Sequence, residues 1–214
     1  MDIKEYIRTH RYCLLMLYFP VYLVAFFIID KIPARYMIEC SLDSLIGFNQ
    51  YMVIPYFIWY PWFVGWLVYF LIRDKEDFIK LAAGMFSGMT ICLIIYVIWP
   101  NGVDIREDIR GTDICSRIVE LIRAADTPYA VCPSIHISTI TAIQLTVNDT
   151  RLPEIKLPAK LLCAVVTLLI TYSTMAIKQH SAVDVFWGAV LSIVLYYTYK
   201  LAYIRILKGK TEKA

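Results

Sequence analysis

The feature that most constrains this chain is a series of apolar runs separated by short charged connections, at 12–29, 51–72, 81–99, 137–147, 161–177 and 183–199. Most of them approach the roughly 20 residues a helix needs to cross a bilayer. In hydrocarbon no water is available to a backbone N–H or C=O, so runs of this kind fold as helices. Composition agrees: 59% of the 214 residues are hydrophobic and 18% are charged, with a mean hydropathy of +0.60. That is too little charge to cover a water-facing surface. The expectation is an all-α fold, a six-transmembrane helical bundle forming one integral-membrane domain over 1–214. The second run contains Pro55 and Pro61, which lipid-embedded helices tolerate. The fourth run is short and rich in hydroxyls (Ser138, Thr139, Thr141, Thr146), which suits a helix in the middle of a bundle. The first run is bulky and lacks a small-residue cleavage site, so it reads as a retained span.

Net charge is only +3 and no polybasic tract occurs, so nucleic acid is not an expected partner; the expected partners are the bilayer and a lipid substrate. Two thirds of the Lys and Arg residues fall on one side of the bundle. That side holds Lys4, Arg8 and Arg11, then Arg73, Lys75 and Lys80, then Arg151, Lys156 and Lys160, then a basic polar tail at 207–214. The bias places both termini in the cytoplasm and the longest connection, 100–134, on the extracytoplasmic side of a cell membrane. Within that connection 113–126 reads as an amphipathic helix with Ile114, Ile118, Leu121, Ile122 and Ala125 on one face. It is expected to be a short interfacial helix in this third loop, or a lid packed on the bundle. Of the six cysteines, Cys13, Cys92 and Cys163 lie in apolar runs, while Cys40, Cys115 and Cys132 lie in loops. A pairing of Cys115 with Cys132 is left open.

Chemistry-bearing residues collect at the outer ends of the later runs. His180 precedes the last run and Asp184 follows four residues on, the spacing that puts two side chains on one helix face. A carboxylate there accepts one ring N–H and leaves the other nitrogen free. A charge inside an apolar run is expensive and has a partner and a role. The plainer reading is a pair that ties two helices together. His136 follows Ser134 by two residues at a helix start, where free N–H groups favour anions; a capping serine beside an interface histidine is the plainer reading. Arg106 and Arg110 lie just beyond the third run, and Lys178 two residues before His180. An Arg forks onto phosphate, although single cations in such loops also serve as headgroup contacts. His10, before the first run, reads as an interface residue. Together the set suits phosphoryl transfer, with one His as nucleophile, a second as proton donor and cations around an anion. No C-x-x-C or similar zinc spacing occurs, and two His with one Asp are better used as nucleophile, acid and orienter than as ligands.

These residues resemble the type 2 phosphatidic acid phosphatase superfamily. Cys132-Pro133-Ser134-Ile135-His136 is similar to its second motif, Pro-Ser-Gly-His, and the stretch from Ser173 through His180 to Asp184 is similar to its third, Ser-Arg-x5-His-x3-Asp. Arg106 stands for the first. The resemblance covers about residues 81–200. It implies that His180 forms a phosphohistidine, Asp184 orients it, His136 protonates the leaving alcohol, and Arg106, Ser134 and Ser173 attend the phosphate, with no metal or other cofactor. The chain departs from the motifs at Trp99 for Lys, Glu107 for Pro, Ile135 for Gly and Thr174 for Arg. Lys178 or Arg110 is the expected replacement for the lost cations. Reduced motifs of this sort resemble the phosphotransferase branch that includes inositol-phosphorylceramide and sphingomyelin synthases. Three functions therefore stand open: a lipid phosphatase, a lipid phosphotransferase with an alcohol acceptor, and a non-enzymatic lipid transporter or structural protein. Clustering of the ionisable residues at one end argues against a route across the bilayer.

Overall fold

The computed structural model describes residues 10–211, with backbone alone for 203–211. The basic tail at 207–214, and Lys4 and Arg8 of the charge bias, lie outside the described side chains. The helices are α1 (Tyr18–Ile29, continuing 3-10 turns over Arg11–Leu17), α2 (Ser41–Leu45), α3 (Val53–Arg73), α4 (Lys75–Ile98), α5 (Ile114–Ala125), α6 (Ile135–Asp149), α7 (Leu157–Ala176) and α8 (Ala182–Thr211). Two short strands, β1 (Tyr36–Met37) and β2 (Asn101–Gly102), pair in parallel.

Among the described residues, five segments are long and apolar enough to cross a membrane: Arg11–Ile29, Gln50–Arg73, Lys75–Ile98, Leu157–Ala176 and Ala182–Ala202. The protein is an integral-membrane helical bundle. The sequence reading counted six, and the difference is α6. Its 15 residues span about 22 Å at 1.5 Å per residue, short of a hydrocarbon core of roughly 30 Å. Ser134 caps its start and Thr150 stops it. This helix is nonetheless the centre of the bundle, packed against α3, α4, α7 and α8. Ser138, Thr139, Ile140, Ile143, Thr146 and Val147 are all buried on it. Two of its buried hydroxyls bond within the helix, Thr139 to Ile135 O and Thr146 to Ala142 O. The outer helices instead expose large apolar side chains such as Val21, Leu168 and Val194.

Two glycines let neighbours close on α6. A Cβ at Gly88 of α4 would lie 2.6 Å from Ser138 Oγ, and one at Gly188 of α8 would lie 2.5 Å from the Ser134 carbonyl oxygen. The connection 99–134 is stitched to the bundle by one side chain. Buried Asn101 donates from Nδ2 to Trp99 O and Cys132 O and accepts at Oδ1 from the Val131 and Cys132 amides. Tyr96 adds a 2.6 Å bond from its hydroxyl to Pro133 O. The segment entering α6 is thus fixed to the end of α4.

Helix α5 forms where the sequence predicts it, capped by Asp113, which accepts from the Cys115 and Ser116 amides. The face it buries differs from the expected one. Cys115, Ser116, Val119 and Ile122 are buried, while Ile114 and Leu121 are 75% and 69% exposed. Buried α5 residues pack on Val53, Tyr56 and Ile177, so the helix covers the bundle as a lid. Ser116 tolerates burial because its hydroxyl bonds Asp113 Oδ2 at 2.8 Å. All six cysteines are free thiols, so Cys115 and Cys132 are not bonded.

Candidate active site

His180 lies in the five-residue turn between α7 and α8, and Asp184 one turn into α8. His180 Nδ1 is 2.7 Å from Asp184 Oδ2. An ionised Asp184 accepts the Nδ1 proton, which leaves His180 Nε2 with its lone pair. That nitrogen is 3.1 Å from His136 Nδ1, which therefore donates to it. The three side chains form one line, His136 to His180 to Asp184. Burial, and then the nearby Arg106 charge, push the His180 imidazole down to about 3. A neutral ring with a free Nε2 lone pair is the form able to act as a nucleophile. His136 is held against aromatic faces: its ring centroid is 5.0 Å from Tyr56 and 4.2 Å from Trp59. Trp59 is itself fixed by a 2.8 Å bond from Nε1 to Thr139 Oγ1.

Backbone contacts bring the two histidine-bearing segments together. The Ser134 amide donates to Asp184 O at 3.0 Å, at the point where Gly188 admits close approach. Ser134 is fully buried at the start of α6, its hydroxyl accepting from the Ile137 amide at 3.4 Å. The turn carrying His180 is set by Asp43 of α2. This carboxylate accepts from Ser181 Oγ at 2.6 Å and from the Ala182 amide at 2.8 Å, capping α8 from outside its own chain segment.

Arg106 is half-buried. Its Nη2 donates to the Asp126 carbonyl at 3.0 Å and to Gln179 Oε1, and its Nε is buried with no protein partner. Burial lowers the guanidinium from its ordinary value; Asp126 opposes that shift and Arg123 adds to it. Burial and the facing Asp30 raise the Asp126 carboxyl to about 7, against the pull of Arg106 and Lys31. A cavity of about 610 Å³ opens beside Arg106, lined also by Phe48, Gln50, Glu107 and Arg110.

The structure thus gathers His136, His180, Asp184, Ser134 and Arg106, and sets Arg110 on the adjoining cavity. Two expected phosphate ligands are engaged elsewhere. The Lys178 ammonium donates to Asp43 O and Ile46 O and pairs with Glu107 at 3.3 Å, which makes it a cross-link between loops. Its backbone sits at φ 61, a left-handed conformation that non-glycine residues seldom adopt. Ser173 gives its hydroxyl to Ile170 O at 2.7 Å, within its own helix. Sequence reasoning missed Arg123, Gln179, Asp43 and the ring pair Tyr56 and Trp59. Of these only Asp43 had a local signal, an acidic residue at the third position of a short helix.

No family model matches the chain, and no curated protein matches it by sequence. Among solved structures it is similar to the crystal structure of Aquifex aeolicus LpxE, with 18% identity over 82% of this chain and 92% of that one and a TM-score of 0.51. At that identity the likeness is one of fold.

Proposed function

We propose that this chain is an integral-membrane lipid phosphatase that hydrolyses the phosphate ester of a lipid through a phosphohistidine. The observation that carries the reading is the line of His136, His180 and Asp184 beside a buried guanidinium. The motif resemblance and a backbone shared with LpxE support it. His180 Nε2 attacks phosphorus, the N–P bond forming as the P–O bond to the lipid alcohol breaks. His136 gives its extra proton to the departing oxygen. That proton arrives with the substrate, since a phosphomonoester has a second pKa of about 6 and His136 Nε2 is buried without a partner. Water then attacks phosphorus, returns a proton to His136 and frees His180. Asp184 holds the imidazole orientation and its developing charge. Ser134, the α6 N-terminus and Arg106 stabilise the equatorial oxygens. The 3.1 Å between the two rings leaves no room for a phosphoryl group, so His136 moves aside as substrate enters.

In this reading α6 is a sixth, recessed span, both termini are cytoplasmic and the site faces the extracytoplasmic leaflet. The outward Ile114 and Leu121 of α5 lie in the membrane interface, where a lipid enters sideways. Trp99, Ile135 and Thr174 at motif positions favour a second reading, in which an alcohol takes the phosphate or phospho-headgroup in place of water. A phosphate-release screen over a lipid panel tests the first reading. The wild type is expected to release phosphate and to accumulate an acid-labile, base-stable phosphorylated histidine, and His180→Ala is expected to lose about 10⁴-fold or more in rate. Full activity in that variant would remove His180 from the mechanism. Product appearing only when an alcohol is added would select transfer.

A further inference from the structure

The chain lacks the motif cations expected at Trp99 and Thr174, yet a second guanidinium stands at the site on an element outside the motifs. Arg123 of α5 donates from Nη1 to Glu107 O at 2.6 Å and from Nη2 to Ile177 O at 3.3 Å. Its guanidinium lies 5.2 Å from the centre of the Phe48 ring. These bonds place it beside Arg106 at both ends: Glu107 follows Arg106, and Ile177 is two residues from Gln179, which Arg106 binds. Three nitrogens of this group, Arg106 Nε, Arg123 Nε and Gln179 Nε2, are buried with no partner. A buried donor left unmade costs free energy, and two guanidiniums in one another's field add repulsion. Asp126 and Asp30 act on Arg106, and Glu107 and Asp108 on Arg123, but none of these carboxylates is hydrogen-bonded to the three nitrogens. An anion with several free oxygens removes both costs at once.

We propose that Arg123 and Gln179 complete, with Arg106, the cradle for a terminal phosphate group, Arg123 standing in for the missing motif cations. This rests on the function proposed above. Arg123 comes from the lid helix, so closure of α5 over the bundle and charge balance at phosphorus are one event. A terminal phosphate brings three free oxygens and up to two charges to these donors, where a diester headgroup brings two oxygens and one charge, so the cradle favours the terminal group.

The test uses the full chain in detergent micelles with inorganic phosphate as probe, read by the phosphate-induced rise in melting temperature and by inhibition of lipid-phosphate hydrolysis. Arg123→Gln is expected to weaken phosphate about 10- to 100-fold, the scale of a charge-assisted hydrogen bond, and Arg123→Lys to recover most of that loss. Gln179→Glu, which leaves α5 untouched and sets a carboxylate in the cradle, is expected to abolish binding even if Arg123→Gln misfolds. Arg117→Gln, on the exposed side of the same helix, should change neither readout. Phosphate binding retained in Arg123→Gln or Gln179→Glu, but lost in Arg106→Gln, would overturn this proposal and leave the phosphatase reading intact. A wild type that neither binds phosphate nor releases it from any lipid would overturn both.

Discussion

The two ends of the bundle handle charge in opposite ways. Where α3 meets α4 and α6 meets α7, cations and carboxylates pair with one another: Arg73 with Glu154 at 2.6 Å, Lys80 with Glu76 at 3.0 Å and Lys200 with Asp149 at 2.6 Å. Buried Asp77 takes the Thr150 hydroxyl. Around His180 some charges also pair, Lys178 with Glu107 and Lys31 with Asp30, but the balance is left open. His136 Nε2, Asp184 Oδ1, Arg106 Nε, Arg123 Nε and Gln179 Nε2 are all buried without partners. Natural proteins leave few such groups, and each calls for a cause. The paired end holds helices together; the unpaired end is prepared for something the protein alone does not supply.

Substitutions at the two ends should separate these roles. The largest effect is expected for Asp184→Asn, which keeps the shape but no longer accepts the Nδ1 proton as a carboxylate. Turnover should fall about 10³-fold with little change in melting temperature, as measured by steady-state hydrolysis and thermal unfolding. A fall of less than tenfold would reduce the His–Asp contact to helix packing. An intermediate effect, on stability, is expected for Asp126→Asn. Because folding raises this carboxyl from 3.8 to about 7, the folded state binds the extra proton across that window. The contribution of Asp126 to stability is therefore most favourable below about pH 4 and is lost as pH rises through about 7. The amide cannot ionise, so the variant should melt about 10 °C above wild type at pH 8 and match it near pH 4. Equal melting at both values would mean that Asp126 is not strained by its burial. The smallest effect is expected for Lys200→Ala at the paired end. An exposed ion pair contributes under about 1 kcal/mol, so melting should shift by less than about 3 °C and turnover by less than twofold. A large loss of turnover there would break the division between the two ends.

Much of this division was legible in the sequence, because it rests on local spacing. The i, i+4 placement of His180 and Asp184 needed only helix geometry, and the apolar runs predicted the long helices to within about four residues, except that α4 starts six residues earlier and α8 ends twelve residues later. What the sequence could not show was contact across long separations. Arg123 looked like one more charge on a solvated face, and its inward role depends on which face α5 buries. The predicted face held Ile114, Ile118, Leu121, Ile122 and Ala125, and the helix is rolled so that Ile118 and Ile122 pack inward with Cys115 and Val119 while Ile114 and Leu121 turn out; periodicity alone does not fix that rotation. Lys178, so near His180 in sequence, is drawn away by carbonyls of Asp43 and Ile46, more than 130 residues upstream. The hydroxyl-rich composition of α6 pointed to its central place in the bundle, but its length of 15 residues depends on the Ser134 cap and the stop at Thr150.

The Asp43 clasp has a consequence for assembly. The carboxylate that starts α8 comes from a five-residue helix 138 positions earlier than the serine it binds. During synthesis the helices that precede α8 can insert while that carboxylate still lacks its mate. Only when the polypeptide has emerged past residue 182 does Asp43 have the turn carrying His180 to lock onto. Contacts of such length come late in folding, so catalytic competence should be among the last properties this chain acquires, and a nascent chain stopped short of α8 should be inert however well its earlier spans are packed.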